Sequence, residues 1–263
     1  MQAILTLGRD VGRRGDRRTV LECSLADRFG DFIDLTPDER AAVARLTERE
    51  LRLRRGATLI RENDRTAEFY VLVRGTMMSY VLLDNGSRQI IRFLFPGDLV
   101  GMAGFAYQQS PETIAALTEC EVAPIDRSLI GALIDQHPRI GALLTALTQV
   151  ERVVCTDRLA AVGRTSAKAR VAALLLEIRD RMRQCDSGIG DTFSPGVTQE
   201  EIGDATGLTA VHVNRMLRQL EDEALIAREG GRFTLLEPAK LARVSSYVDR
   251  FAGLDLNWLP RPR

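Results

Sequence analysis

The chain lacks several features that commonly carry function. It has no net charge, with 36 Lys and Arg against 36 Asp and Glu over 263 residues. Overall basicity therefore gives no argument for nucleic acid, and any such contact must come from a local patch. No apolar run approaches the roughly 20 residues needed to span a bilayer, so no membrane association is expected. The opening MQAILTLGRDVGRRGDRR places its charges after a short apolar start, the reverse of a secretion signal, and a cytoplasmic protein is expected. The four cysteines, Cys23, Cys120, Cys155 and Cys185, are scattered and none forms a CxxC pair, so a zinc site or redox dithiol has no local support. Only two histidines occur, His137 and His212, which starves most general-base schemes. GxSxG, P-loop and HExxH motifs are missing, as is a clustered acid pair. No enzyme and no metal site are expected.

What the chain does have is concentrated near its end. The length suits two domains. In the second, TQEEIGDATGLTAVHVNRMLRQL (Thr198 to Leu220) reads as two short helices around a tight turn. Thr198 and Glu201 form a capping box, which satisfies backbone N–H groups at a helix start. Ile202 and Ala205 give the first helix an apolar side, and Gly207 ends it where a left-handed backbone suits glycine. Leu208 plugs inward and Thr209 caps the second helix, whose buried stripe is Val213, Met216, Leu217 and Leu220. That leaves Ala210, Val211, His212, Asn214, Arg215 and Arg218 facing outward. An Arg fork can hold guanine and an Asn can read adenine in a major groove. The competing reading is a plain helical hairpin with a solvated polar face. Leu225 to Arg228, a Glu229-Gly230-Gly231 turn, and Arg232 to Leu236 follow as a β-hairpin. Helix, turn, helix and hairpin in that order make a winged helix, and winged helices mostly bind duplex DNA.

Residues 1–20, with Arg13 to Arg18 reading RRGDRR, are expected to be a disordered arm. Leu21 to Ile33 is predicted helical. A second helix starts at Thr36-Pro37-Asp38-Glu39, with cap, first-turn proline and closing glutamate, and runs to about Arg49. From Leu51 to Ile125, short apolar or alternating runs alternate with turn signals, which predicts a barrel or jelly roll. Asp84-Asn85-Gly86 is its strongest hairpin turn.

Phe69 to Gly75, the Asn85-Gly86 hairpin, Phe95-Pro96-Gly97-Asp98-Leu99-Val100-Gly101 and Cys120-Glu121-Val122-Ala123 together resemble a cyclic-nucleotide-binding-type β-roll. Joined to the winged helix at Thr198–Leu236, the chain resembles a Crp/Fnr-family transcription regulator over roughly residues 25 to 240. The resemblance implies an α+β protein: an N-terminal β-roll (jelly roll) sensor domain, a long dimerisation helix and a C-terminal winged helix-turn-helix domain. The expected divisions are 21–136, 137–163 and 164–263, the last including a C-terminal extension.

Within that resemblance the sensor departs from the cyclic AMP pattern. Relatives that bind it use a Gly-Glu pair after the Gly-Asp turn and an Arg-Ser pair opposite. Here Gly101 is followed by Met102, and the Arg-Ser positions fall at Ser110 and Pro111, which supply no charge for a phosphate. A buried unpaired phosphate is costly, so cyclic AMP by the usual contacts is not expected. Cys23 and Cys120 alone lie where the oxygen-sensing branch holds an iron–sulfur cluster, fewer than its usual four thiolates. Haem finds no suitable His. No cofactor is expected and the effector is left open. Gly101, Met102, Phe105, Tyr107, Ser110 and Pro111 are the candidate lining of an apolar pocket, with plain core filling as the alternative.

Pro138 opens a long helix to about Val162. Ile140, Leu143, Leu147, Val150, Val154, Asp157 and Ala161 repeat at spacings of three and four, the a/d pattern of a coiled-coil seam, although a core helix shows a similar stripe. The resemblance implies a parallel homodimer through this stripe. Gly163 is expected to end the helix and Thr165 to cap the next, making 163–165 a hinge. A two-fold dimer would meet half-sites about 34 Å apart and read an inverted repeat in double-stranded DNA. The family's base-reading positions fall on Val211, Asn214 and Arg215, with His212 beside them, and Val211 stands where the best-known members have Glu. Thr198, Gln199, Thr209 and Arg218 are the candidate phosphate contacts. RNA polymerase is an implied partner if the protein is an activator. The competing class is a small-molecule-binding module whose C-terminal domain serves protein–protein contacts.

Overall fold

The structure is a computed structural model that describes residues 22–65 and 68–262, so the expected arm at 1–20 lies outside the described residues. Ser24 caps α1 (Leu25–Gly30), which starts four residues later than Leu21 because the serine oxygen accepts from Asp27 N–H. Thr36 and Glu39 form the expected box at the start of α2 (Pro37–Ala44), which tightens into a 3₁₀ turn ending at Thr47.

The strands then follow as β1 (Leu51–Leu53), β2 (Thr58–Ile60), β3 (Glu68–Arg74), β4 (Met77–Leu82), β5 (Arg88–Leu94), β6 (Leu99–Val100), β7 (Thr113–Ala116) and β8 (Cys120–Asp126). They form two four-stranded sheets, ordered β1-β8-β3-β6 and β2-β7-β4-β5, with antiparallel neighbours. The expected jelly roll is present. Between the sheets Ile60, Leu72, Met77, Leu94, Val100, Ile114 and Val122 fill the interior. A second cluster, built on Phe69, Val71 and Ile125, joins the roll to α1, α2, α3 (Arg127–Gln136) and the start of the long helix α4.

Helix α4 spans Pro138–Arg164 and passes through Gly163. It stops only where Thr165 turns extended (ψ 164°), and Ser166, not Thr165, caps α5 (Ala167–Cys185). Beyond α5 come β9 (Thr192–Phe193), α6 (Gln199–Thr206), α7 (Ala210–Asp222), β10 (Ile226–Glu229), β11 (Arg232–Leu235) and α8 (Pro238–Ser245). The sheet order β10-β11-β9 makes a three-stranded wing. The last helix ends at Ser245, because Ser246 adopts φ 54° and redirects the chain.

From there the C-terminal segment runs back over the body. Arg250 grips Asp157 of α4 through Nε (2.6 Å) and Nη2 (3.0 Å). Phe251 lies under two guanidinium groups, 4.6 Å from Arg181 and 5.4 Å from Arg28. Leu256 and Leu259 join the cluster around α1–α4, while Trp258 stays exposed.

Arg181 of α5 is the meeting point. It is buried and donates to Asp98 of the roll's Pro-Gly-Asp turn at 2.6 Å and to Glu151 of α4 at 2.7 Å. Burial opposes ionisation of Glu151, yet Arg181 and then Arg92 hold its carboxyl at about 2, against an ordinary 4.5. Because the folded value is depressed, the stabilisation is complete above the unfolded value and fades as pH falls from 4.5 towards 2. Urea unfolding across that window should show a decline in stability, and Glu151→Gln should flatten it. An unchanged slope in the variant would contradict this assignment.

Candidate nucleic-acid interface

The reading head is built from local backbone rules. The Thr198 oxygen accepts from Glu201 N–H while Glu201 returns a bond to Thr198 N–H, as expected for a capping box. Gly207 then takes φ 68° and closes α6. One signal went unread in the sequence: a side chain on Gly203 would place its Cβ 2.4 Å from the Leu208 carbonyl oxygen. Only glycine lets the turn press this closely onto α6. Thr209 caps α7 by accepting from His212 N–H, and Val213, Met216, Leu217 and Leu220 are buried. They pack with Ile202 and Phe233 into a core shared with α5. Phe193 stacks on Phe233 at 6.0 Å, which fixes the wing under the helices.

The opposite face of α7 is open. Val211 is 82% exposed, Arg215 and Arg218 are exposed, and His212 and Asn214 are half-buried. Arg215 Nη2 lies 2.8 Å from His212 Nε2, so the ring braces the guanidinium on the exposed surface. Thr198, Gln199 and Thr209 are exposed at the N-terminal ends of α6 and α7. There, helix dipoles and free N–H groups favour phosphate. None of the sequence-predicted base and phosphate residues is buried.

The long helix corrects its predicted seam. Ile140 and Leu143 are fully buried in their own protomer, against the cluster of Phe69, Val71 and Ile125, and Leu147 packs at its edge. Val150 is buried as well. Asp157 is occupied by Arg250, and Val154 and Ala161 line a cleft under the C-terminal segment. The first half of that stripe, through Val150, is an inner face, while Val154, Asp157 and Ala161 are partly exposed. With 100° per residue, the opposite side carries Thr145, Thr148, Arg152, Cys155, Leu159 and Val162, again at spacings of four and three. Leu159 is 75% exposed and Val162 45% exposed. Thr145 and Thr148 donate their hydroxyls to carbonyls four residues back, which leaves their methyl groups for contact.

The predicted sensor pocket is also corrected, since its six residues do not converge. Gly101 is buried with φ 79°, a backbone position at the start of a 3₁₀ turn. Met102 borders a cleft shared with Arg28, Asp98 and Phe251. Phe105 is half exposed and covers Phe69 at 4.2 Å between ring centres, and Tyr107 and Pro111 are exposed. Ser110 is buried and donates to the Glu112 carbonyl at 2.7 Å. These residues are neighbours on one loop, and the loop sends them in different directions. Buried Ser79 donates to the Glu112 carboxylate, so an anionic side chain already occupies this polar corner, and large apolar side chains fill the rest.

Cys120 and Cys23 are buried, Cys185 is half-buried and Cys155 is exposed. Burial pushes the thiols of Cys23 and Cys120 up, the former to about 11. Among the described residues, no three His, Cys, Asp or Glu side chains gather as metal ligands, and no helix is long and apolar enough to cross a membrane.

A β-roll, a long helix and a winged helix with an open reading face define a DNA-binding transcription regulator. Residues 50–137 match the cyclic nucleotide-binding domain, and residues 169–244 match the Crp-like helix-turn-helix domain. The chain is 33% identical to the nitrogen fixation regulation protein FixK of Bradyrhizobium diazoefficiens, over 73% of this chain and 79% of that protein. It is 32% identical to the transcriptional activatory protein AadR of Rhodopseudomonas palustris, over 69% and 75% of the two chains. The solved structure of FixK2 from Bradyrhizobium japonicum superposes with a TM-score of 0.69 at 26% identity, covering 76% of this chain and 98% of that one. The chain belongs to the Crp/Fnr family, whose members are transcription regulators that act as dimers rather than enzymes.

Gly203→Ala should lower the thermal midpoint by an amount equivalent to about 1–3 kcal/mol, because backbone must move to admit the methyl group. A midpoint unchanged from wild type would show that the turn is looser than this contact implies.

Proposed function

We infer that the protein is a cytoplasmic, homodimeric regulator that reads an inverted repeat with α7, contacting RNA polymerase where it activates. The functional divisions are a sensor-derived unit at 21–136, a dimer helix at 137–163 and a DNA-binding unit at 164–263. The observation that carries this reading is the surface of exposed Val211, Arg215 and Arg218 with half-buried Asn214, on a helix held by its buried side. Arg215 donates to a guanine, Asn214 reads its neighbour, and Val211 presents methyl groups that suit a thymine methyl. His212 positions Arg215. Thr198, Gln199, Thr209 and Arg218 hold phosphates.

Selection of bound duplexes from a random pool tests the reading, and enrichment of a two-fold symmetric site is expected. Arg215→Ala should then cost about 1–3 kcal/mol on that site and relax preference at one position per half-site. Arg218→Ala should weaken all sequences alike and reduce the salt slope by about one. Specific binding at native strength by Arg215→Ala would overturn the assignment.

The dimer seam follows the outward stripe of Thr148, Arg152, Cys155, Leu159 and Val162. Apolar exposure there favours this face, since Leu159 is 75% exposed and would gain burial from a second copy. In a parallel pair on this seam, the two exposed Cys155 side chains would face each other across the axis, where a disulfide could join them. Mild oxidation should give a covalent dimer that Cys155→Ser abolishes. Monomer alone after oxidation, from a protein that sediments as a dimer, would refute this seam.

A further inference from the structure

We propose that the cleft beneath the C-terminal segment is an effector site for a small amphipathic carboxylate, an aliphatic or aromatic acid. The cleft has a volume of about 280 Å³, and Val154, Ala161, Ala173, Leu174, Ala205 and Val248 give it apolar walls. That is many times the roughly 10–15 Å³ that one water needs, so the cleft admits a small organic ligand.

Charge selects the chemistry. Five arginines line the cleft, and three are neutralised: Arg158 by Glu177, Arg181 by Asp98 and Glu151, and Arg250 by Asp157. Arg164 and Arg170 have no carboxylate partner among the described residues, and Arg170 spends Nη1 on the Thr206 carbonyl at 2.8 Å. Asp180, also in the lining, is paired with Arg179, and Asp249 is the one lining carboxylate with no cation partner among the described residues, so two guanidinium groups face one free acid. With Arg170 Nε buried and unpartnered, the surplus positive charge in an apolar chamber favours a ligand with an apolar body and one anionic end. The site is separate from the roll interior, and Val154, Asp157 and Ala161 line it from the side of α4 opposite the outward stripe.

Its walls come from the parts whose arrangement positions α7. The end of α4, the helices α5 and α6, and residues 245–251 each supply one side. A ligand that touches all of them biases how the DNA-binding unit sits on the dimer helix, provided it binds one arrangement better than another.

The test is calorimetric titration of the full-length protein with octanoate, phenylacetate and, as a neutral control, octan-1-ol. Saturable binding of the acids is expected, with octanol about tenfold weaker, the effect of losing one hydrogen bond to a charged group. Arg164→Gln, an exposed change, should weaken octanoate by a similar factor and leave octanol unaltered. Ala173→Phe, which fills the cleft, should abolish binding of both. Absence of saturable binding by either acid, or acid binding untouched by both variants, would overturn the proposal. Neither result bears on which bases α7 reads, so the DNA-binding assignment stands or falls separately.

Discussion

A single buried guanidinium joins the parts of this protein. Arg181 cannot lose its proton, so its removal from water must be offset by partners of opposite charge and good geometry. It finds them in Asp98 from the roll and Glu151 from the long helix, while its face rests against Phe251 from the C-terminal segment. Asp98 is itself tied to its turn by the Phe95 N–H at 2.9 Å. Four elements distant in sequence are therefore held in register by one side chain. Separating the DNA-binding unit from the roll at this point would leave charges buried and unpaired, so any such movement is all-or-none rather than gradual.

The same constraint explains what could be read from the sequence and what could not. Features governed by a few adjacent residues were legible: the boxes at Thr36–Glu39 and Thr198–Glu201, the left-handed Gly207, the hairpin at Asn85-Gly86 and the strand rhythm of the roll. The reading face of α7 was legible too, because its buried and exposed residues separate cleanly on a short helix. Helix α4 was misread for a physical reason. Both of its faces repeat at spacings of three and four, and the more apolar one, with Ile140 and Leu143, serves the protomer's own core. The outward face is disguised by Thr145, Thr148 and Arg152, whose methyl and methylene groups do not register as hydrophobic in a sequence pattern. Contacts such as Arg181 with Asp98 and Arg250 with Asp157 span 83 and 93 residues, and no local rule points to them.

The β-roll ties a sensor-type fold to the DNA-binding unit by contacts that need no ligand. Its sheets, turns and Pro-Gly-Asp corner are intact, yet the space between the sheets is filled by apolar side chains, and a carboxylate at Glu112 is fastened to Ser79. The roll still supplies Asp98 to Arg181, and Arg88 to Asp204 of α6 at 2.7 Å. These contacts give the DNA-binding unit a surface to lock onto. Fold and site are separable in this way because the sheet is specified by many residues and a ligand site by few.

That separation also frames the reading head. Val211 exposes most of an apolar side chain at the centre of an otherwise polar helix face. A single exposed apolar residue needs no explanation by itself. Here its neighbours in the helical row are Asn214, Arg215 and Arg218, groups that are satisfied by water in the free protein and by base edges or phosphates in a complex. Valine has no such exchange to make. It gains only when another apolar surface covers it, and in a major groove the thymine methyl is the surface available. Arg215, braced by His212, would fix where the helix lies, and Val211 would then discriminate by contact rather than by hydrogen bonding. The base it favours should therefore be one that a glutamate at the same position would reject.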